Sequence, residues 1–323
     1  MLSMVKIPTF IKSKIADTNK YNIPKIIIQT YKNDNIHEKI YKNIKNILAI
    51  NPEYDYYLIT DDIGRTLIEK NFEKDILDAY DKLNIGAAKG DFLRYISIYI
   101  YGGVYIDLDS SITTDLNKLI DNNMSHYFIW DADCNIMNTP LISQPKNPLV
   151  LNIIKEVARR ITNYESNIFL ATGPTVVTDV IYKDITNKSV YNTKLNVSNS
   201  DRKQLWIENV NYKHGKIIHS SKVPGIHFRM KGYTNRLLYS NHDKKYKVTV
   251  NSPTPYLYKY IQIGKSNLNS KTIELNKEYR PDTKLVFLHT YKDTFSYEFS
   301  DNKLTITRTD ADEGWGQDLL AYL

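Results

Sequence analysis

Residues 86–110, GAAKGDFLRYISIYIYGGVYIDLDS, restrict this chain more than any other stretch. Ala87, Ala88, Phe92, Tyr95, Ile96 and Tyr99 recur at helical spacing, and Asp91 and Arg94, three apart, share one face of the helix this predicts. Gly102 and Gly103 end that helix, because glycine accepts the left-handed backbone a C-terminal cap requires. Val104, Tyr105 and Ile106 have the make-up of a buried strand, and Asp107, Leu108 and Asp109 stand at its end. Period-two alternation would put both carboxylates on one side and Leu108 in the core.

Two carboxylates held that close repel, so one is protonated or a cation lies between them. Oxygen-only ligands suit Mg²⁺ or Mn²⁺, and an ion of that kind favours a diphosphate. The plainer reading is that Asp107 and Asp109 cap the strand and start a turn at Ser110-Ser111.

An Asp-x-x-Arg helix, a Gly-Gly break, a short apolar strand and then Asp-x-Asp together resemble the sugar-nucleotide signature of glycosyltransferase family 32. That family includes yeast initiating α-1,6-mannosyltransferases, inositol-phosphorylceramide mannosyltransferases and capsular-polysaccharide transferases. The resemblance implies a glycosyltransferase-A fold, an α/β catalytic domain on a Rossmann-like mixed sheet. It implies a retaining hexosyltransferase that uses Mn²⁺ or Mg²⁺, a UDP- or GDP-hexose donor and a glycan, glycoprotein or glycolipid acceptor, with no nucleic-acid partner. Asp109 would bind the ion directly, Asp107 would reach the donor's ribose or bind the ion through water, and Asp91 and Arg94 would grip the donor sugar, Arg94 also offsetting charge on the phosphate.

The resemblance extends along the chain. Lys25 to Tyr31 (KIIIQTY) reads as a first buried parallel strand. By resemblance its end meets the nucleotide, with Thr30 in the matching threonine place and Tyr31 where tryptophan is usual; Ile28 replaces the family's histidine. A helix over 37–50, a strand over 54–60 and a helix N-cap at Asp61-Asp62 follow, an order that implies a right-handed crossover. Short helices are expected over 63–70, 72–83 and 113–120, the last capped by Thr113 or Thr114, and a strand over 126–130. Asp131-Ala132-Asp133 is a rival acidic pair without the helix and glycine turn of the first, expected on the acceptor side or merely at the surface. An amphipathic helix over 149–161 precedes Thr172-Gly173-Pro174, which matches the family's T-G-P before a helix; its free N–H groups, Gly173 among them, would suit a sugar hydroxyl or phosphate. Residues 183–203, rich in Asn, Ser, Lys and Asp, read as a loop able to fold over the site. Near 215–233, His227 before Gly232-Tyr233 resembles the family's third metal or diphosphate contact, with His219 as a competitor.

With 323 residues the chain suits one catalytic domain plus an appendage, placed at 1–244 and 245–323. From about Lys245 period-two strands take over, namely Tyr246–Val250, Tyr256–Ile263, Lys284–His289, Phe295–Phe299 and Leu304–Arg308. A hairpin at Ser300-Asp301-Asn302 joins the last two. This predicts a small antiparallel β domain, sandwich-like and closed by Gly314-Trp315-Gly316. The single cysteine, Cys134, excludes an intramolecular disulfide. No apolar run reaches membrane-spanning length and residues 1–20 are too interrupted for a signal-peptide core, so a soluble, cytoplasmic protein is the expectation. The net charge of +7 fits anionic nucleotides but is better explained by a lysine-rich solvated face. Two other classes stay open at this point: a glycan-binding protein with a silent transferase domain, and a haloacid-dehalogenase-like phosphatase, whose motif also has Asp-Leu-Asp after an apolar strand.

Overall fold

The computed structural model describes residues 4–231 apart from 18, 164, 166 and 189–197, and beyond them the segments 260–268, 270–274, 286–287, 295–300, 303–308 and 313–322. Gly232, Tyr233 and the expected strand over 246–250 lie outside the described residues. The chain divides into two compact units, one of Met1–Asp81 with Gly86–Thr249 and one of Lys82–Ile85 with Val250–Leu323.

In chain order the strands of the first unit's main sheet are β1 (Phe10–Ile11), β2 (Ile26–Tyr31), β3 (Asp55–Thr60), β4 (Gly103–Tyr105), β5 (His126–Trp130), β6 (Leu141–Ser143), β7 (Asn211–Tyr212) and β8 (Gly215–His219). The helices are α1 (Glu38–Ile50), α2 (Asp61–Asn71), α3 (Lys74–Lys82), α4 (Gly86–Tyr101), α5 (Pro148–Thr162), α6 (Ile168–Ala171), α7 (Pro174–Thr186) and α8 (Asn199–Glu208). The spatial order is β7-β8-β5-β6-β4-β2-β3-β1. β2 runs parallel to β3, from Ile26 opposite Asp55 to Tyr31 opposite Thr60, and parallel to β4. β6 is antiparallel to both β4 and β5, and β5 is parallel to β8. So β2, β3, β4, β5 and β8 point the same way, and their carboxyl ends share one edge of a mixed sheet. The expected α/β class with a Rossmann-like mixed sheet is what the structure has.

α4 is the central helix. Phe92, Leu93, Tyr95, Ile96 and Ile98 on it are wholly buried, because it packs against β2, α2 and α5 on different sides. Each such side chain removes apolar surface worth about 2 kcal/mol from water. The Gly102 N–H donates to the Ile98 carbonyl (2.8 Å), and Gly102 and Gly103 both have positive φ, 68° and 97°. That turn drops the chain straight into β4 beside β2.

Several local expectations need correction. The N-cap of α2 is Thr60, whose Oγ1 accepts from the Ile63 N–H (3.3 Å); Asp61 and Asp62 occupy the first turn, where they suit the helix dipole. The helix expected over 113–120 shrinks to a single 3₁₀ turn, Leu116–Lys118, capped by Asp115 rather than by a threonine. Ser111–Ile112, just before it, instead pairs antiparallel with Ile226–His227. β6 has no counterpart among the sequence expectations.

In the second unit the described strands form two three-stranded antiparallel sheets. In one, Glu313–Tyr322 lies between Tyr260–Leu268 and Val286–Phe287. In the other, Lys303–Arg308 lies between Ser270–Glu274 and Phe295–Ser300, and Ser300 opposite Lys303 closes the expected hairpin. Gly314, Trp315 and Gly316 fall within a strand instead of closing the fold. No helix among the described residues is long and apolar enough to cross a membrane.

The α4–β4 turn yields a first prediction. A Cβ on Gly103 would sit 2.4 Å from the Ile26 carbonyl oxygen, at a backbone angle that side chains resist. Gly103→Ala should cost about 3 kcal/mol in a denaturant titration, whereas a loss near zero would mean the turn can relax.

Candidate active site

β4 stops at Tyr105, so Asp107–Asp109 form a turn beyond the strand, closed by the Ser110 N–H donating to the Asp107 carbonyl (2.9 Å). The two carboxylates are therefore placed by turn geometry and not by strand alternation, although Leu108 is buried as expected. Asp107 is held on all sides. Its carbonyl also accepts from Gln29 Nε2 (2.9 Å), and its N–H donates to Thr139 Oγ1 (3.3 Å). Gln29 is itself fully buried and accepts from the Tyr56 hydroxyl (3.0 Å). The Asp107 carboxylate takes two further bonds on Oδ1, from Tyr105 Oη (2.9 Å) and from Arg94 Nη2 (2.8 Å). Its Oδ2 has no partner among the described residues.

Arg94 is the hub of this cluster. The Nη2 that meets Asp107 also lies 2.8 Å from Asp91 Oδ1, and Nη1 donates to the Asn138 carbonyl (3.2 Å). The guanidinium lies over the Tyr105 ring at 4.9 Å, and its Nε has no hydrogen-bond partner among the described residues. Asp91 is braced in turn: Asn138 Nδ2 donates to Oδ1 (3.0 Å) and Thr172 Oγ1 donates to Oδ2 (2.9 Å). Because Tyr105 gives its one proton to Asp107, Thr30 Oγ1 must donate to Tyr105 Oη (2.9 Å). A continuous hydrogen-bonded line thus runs from the end of β2 to the start of α7.

The two charges of the Asp91–Arg94 pair respond differently to their setting. Burial pushes the Asp91 carboxyl up to about 6, and Arg94 only partly offsets this because its guanidinium is shared with Asp107. Burial also works against the Arg94 charge, but Asp107, ahead of Asp91, more than restores it, so the guanidinium pKa moves upward and the side chain stays protonated.

Asp109 has different company. The segment 226–230 runs antiparallel beside it: Ile226 and His227 pair with Ile112 and Ser111, Ser110 Oγ donates to the Phe228 carbonyl (3.3 Å), and the Met230 N–H donates to the Asp109 carbonyl (2.6 Å). This brings the exposed Arg229 Nη1 to 3.9 Å from Asp109 Oδ2. His227 Nε2 shares a hydrogen bond with Thr113 Oγ1 (3.0 Å), and among the described residues no three His, Cys, Asp or Glu side chains cluster as a metal site. His219 caps the turn at 220–222, with Nδ1 accepting from the Ser221 N–H (3.2 Å).

The remaining candidates divide. Thr30 is buried and works through Tyr105, while the half-buried Tyr31 lies beneath the Lys32 ammonium at 5.7 Å. The Gly173 N–H, expected to be free, donates to the Ile168 carbonyl (3.0 Å), and Pro174 has none to offer. Asp131 Oδ1 accepts from the N–H groups of Asp133 and Asn135 (3.0 Å each), so that acidic pair is built around a turn. Gln29, Tyr105, Asn138 and Thr172 were not recognised as supports of the site. For Gln29 a signal existed, since a glutamine inside an apolar strand must find buried partners.

Asp91 sets a pH dependence. Between its ordinary value of 3.8 and about 6 the folded protein keeps a proton that the unfolded chain has released, so the contribution to stability is greatest below that range and is lost as pH rises through 6. Relative to Asp91→Asn, the wild type should lose about 3 kcal/mol from about pH 4 to pH 7 and little beyond, measured by denaturant unfolding. A difference that stays flat would show that Asp91 ionises as an ordinary surface carboxyl.

Known proteins resemble this chain over the stretch that carries these residues. Residues 37–126 match the family described as "Glycosyltransferase sugar-binding region containing DXD motif", a span that holds Asp91, Arg94, Asp107 and Asp109. The chain is 29 % identical over 177 residues to inositol phosphoceramide mannosyltransferase 3 of Schizosaccharomyces pombe, covering 53 % of this chain and 48 % of that one. It is 28 % identical over 183 residues to a mannosyl phosphorylinositol ceramide synthase of Saccharomyces cerevisiae, covering 54 % and 46 %. An uncharacterized glycosyltransferase of Acanthamoeba polyphaga mimivirus is 32 % identical over 165 residues, covering 49 % and 64 %. The chain thus spans about half the length of the two yeast proteins. The matched region holds the buried Asp-x-x-Arg helix and the Asp-x-Asp turn it feeds, so in this part the chain is similar to the DXD-containing glycosyltransferases, including the yeast enzymes that resemble glycosyltransferase family 32.

Proposed function

We propose that this protein is a metal-dependent, retaining glycosyltransferase that moves a hexose from a UDP- or GDP-sugar to a glycan, protein or lipid acceptor. The observation that carries the reading is the Asp91–Arg94–Asp107 cluster beside Asp109. One buried guanidinium serves two carboxylates, so the cluster is short of positive charge on the side where Asp107 Oδ2 has no partner.

The donor set fits Mn²⁺ or Mg²⁺. Asp107 Oδ2 and the Asp109 carboxylate are hard oxygen ligands, and such ions are commonly bound by one or two carboxylates with phosphate and water completing the shell. His227 would join them on releasing Thr113. The ion's contribution is Lewis-acid neutralisation of the charge that gathers on a departing nucleoside diphosphate. The rest falls to the protein. Arg94 and Asp91 grip the donor sugar's hydroxyls, Asp91 Oδ2 keeping a lone pair beyond its bond to Thr172. The Tyr31 ring stacks on the base, and Thr30 steadies Tyr105 beneath Asp107. Arg229 leaves Asp109 for the diphosphate. Every bond to Asp91 serves to fix it, which suits a binding group and not a covalent nucleophile. Retention then follows from attack on the face the diphosphate leaves: the C1–O bond to phosphate breaks, the acceptor oxygen bonds to C1, and the acceptor's proton passes to a phosphate oxygen. The yeast relatives named as mannosyltransferases make GDP-mannose and a glycolipid acceptor the first pair to try.

The test is a panel of UDP- and GDP-hexoses with Mn²⁺, scored by thermal stabilisation and by slow hydrolysis of the donor. One donor should both stabilise and be hydrolysed, and EDTA or Asp109→Asn should lower that hydrolysis by about 100-fold without lowering the melting temperature. Hydrolysis indifferent to both would remove the metal from the proposal. A transfer product of inverted anomeric configuration would remove retention.

A further inference from the structure

The ends of β5 and β8 lie on the same sheet edge as the Asp107 turn and are in register, Trp130 opposite His219. Their rings meet edge to face, with centroids 4.5 Å apart and planes at 71°. Beyond Trp130 the chain folds back through the turn that Asp131 holds. α8 is pinned over that turn by two bonds: Trp206 Nε1 donates to the Cys134 carbonyl (3.1 Å) and Arg202 Nη1 to Asn135 Oδ1 (2.8 Å). What remains between these elements is a cavity of about 350 Å³ lined by Trp130, Ala132, Cys134, Lys203 and His219.

Two features tie this cavity to the donor site. Asn138, only four residues beyond Cys134, bonds both Asp91 and Arg94, and Thr139 accepts from the Asp107 N–H. At about 3.5 Å per residue, no more than about 14 Å of chain separates the cavity wall from the carboxylate cluster. The lining also has a definite chemistry. With Nδ1 accepting from Ser221, the neutral His219 ring carries its proton on Nε2, and Lys203 adds an ammonium. Hydrogen-bond donors around an aromatic ring, in a cavity at the small end of the range for ligand sites, suit one sugar ring.

We propose that this cavity is the acceptor subsite, and that it takes a hexopyranoside, packed against Trp130 and hydrogen-bonded by His219 and Lys203, with its reacting hydroxyl turned toward the donor. The assignment rests on the transferase reading and adds to it that recognition on the acceptor side is of a glycosyl ring.

Saturation-transfer NMR with p-nitrophenyl α-mannopyranoside, α-glucopyranoside and α-galactopyranoside tests it. At least one should bind the wild-type protein at about 10 mM or below. Ala132→Trp, a change at an exposed position that fills the cavity, should abolish that signal, and Lys203→Ala should weaken binding by about tenfold. In transfer assays Lys203→Ala should raise the KM for the hexoside about tenfold while the KM for the donor moves less than about twofold. Binding that survives Ala132→Trp in a protein that melts normally, or no binding of any hexoside by the wild type, would overturn the subsite. Hexoside binding lost in Ala132→Trp, with no donor hydrolysed by the wild type, would support the subsite and count against the transferase reading instead.

Discussion

A single guanidinium shared by two carboxylates decides how the centre of this protein is built. Arg94 is almost wholly removed from water, and a charge in that position is tolerated only if paired and hydrogen-bonded. Asp91, one turn earlier on the same helix, supplies half of the pairing. The other half must come from elsewhere, and it comes from Asp107 once the chain has reversed through two left-handed glycines. The turn, the strand and the acidic tripeptide are therefore one device for returning a carboxylate to the helix it has just left. That α4 is buried on several sides follows from the same need, because a helix carrying its own counter-ion can afford to sit in the core.

The two aspartates of the tripeptide are consequently unlike each other. Asp107 is locked by Gln29, Thr139, Tyr105 and Arg94, with one oxygen left over. Asp109 is tied through its carbonyl to Met230, and its carboxylate faces Arg229, a long and exposed side chain. The repulsion that a sequence reader assigns to a metal is thus met, in the protein itself, by two arginines of very different permanence. Arg94 cannot leave without stranding the buried Asp91 carboxylate and stripping Asp107 of its counter-charge. Arg229 can, since its guanidinium is exposed to water and lies at the long distance of 3.9 Å from Asp109, a contact that holds it weakly. This asymmetry is what lets one half of the turn act as a fixed frame and the other half exchange partners.

What could be read from the sequence was what local chemistry dictates. The helix, the glycine stop, the strand and the sheet's parallel half all follow from residue spacing, and the Asp-x-x-Arg and Asp-x-Asp motifs were legible because their parts lie within one stretch of chain. Distant partners were not legible. Nothing near Thr172 says that its hydroxyl will reach Asp91, 81 positions earlier, and nothing near Arg229 says that it will meet Asp109. The shortfalls in detail have the same origin. Gly173 was expected to offer its N–H because a Gly-Pro turn often does, but α6, only four residues long, takes that proton first. The short β6 carries no strong period-two signal, and its pairing depends on neighbours on both sides.

That overlooked strand has a consequence for the site. β6 is the one strand between β4 and β5, and it runs against both. Had it been parallel, the link from β5 would have crossed to the opposite edge of the sheet before β6 could begin. Being antiparallel, it starts on the edge where β5 ends, so residues 131–140 must travel along the carboxyl edge. That route delivers Asn138 to Asp91 and Arg94 and Thr139 to Asp107, and it leaves the Asp131 turn beside Trp130 and His219. One reversal in strand direction therefore places the cradle of the carboxylate cluster and the neighbouring cavity on a single short piece of chain, so a shift in either is felt at the other through a few residues of backbone.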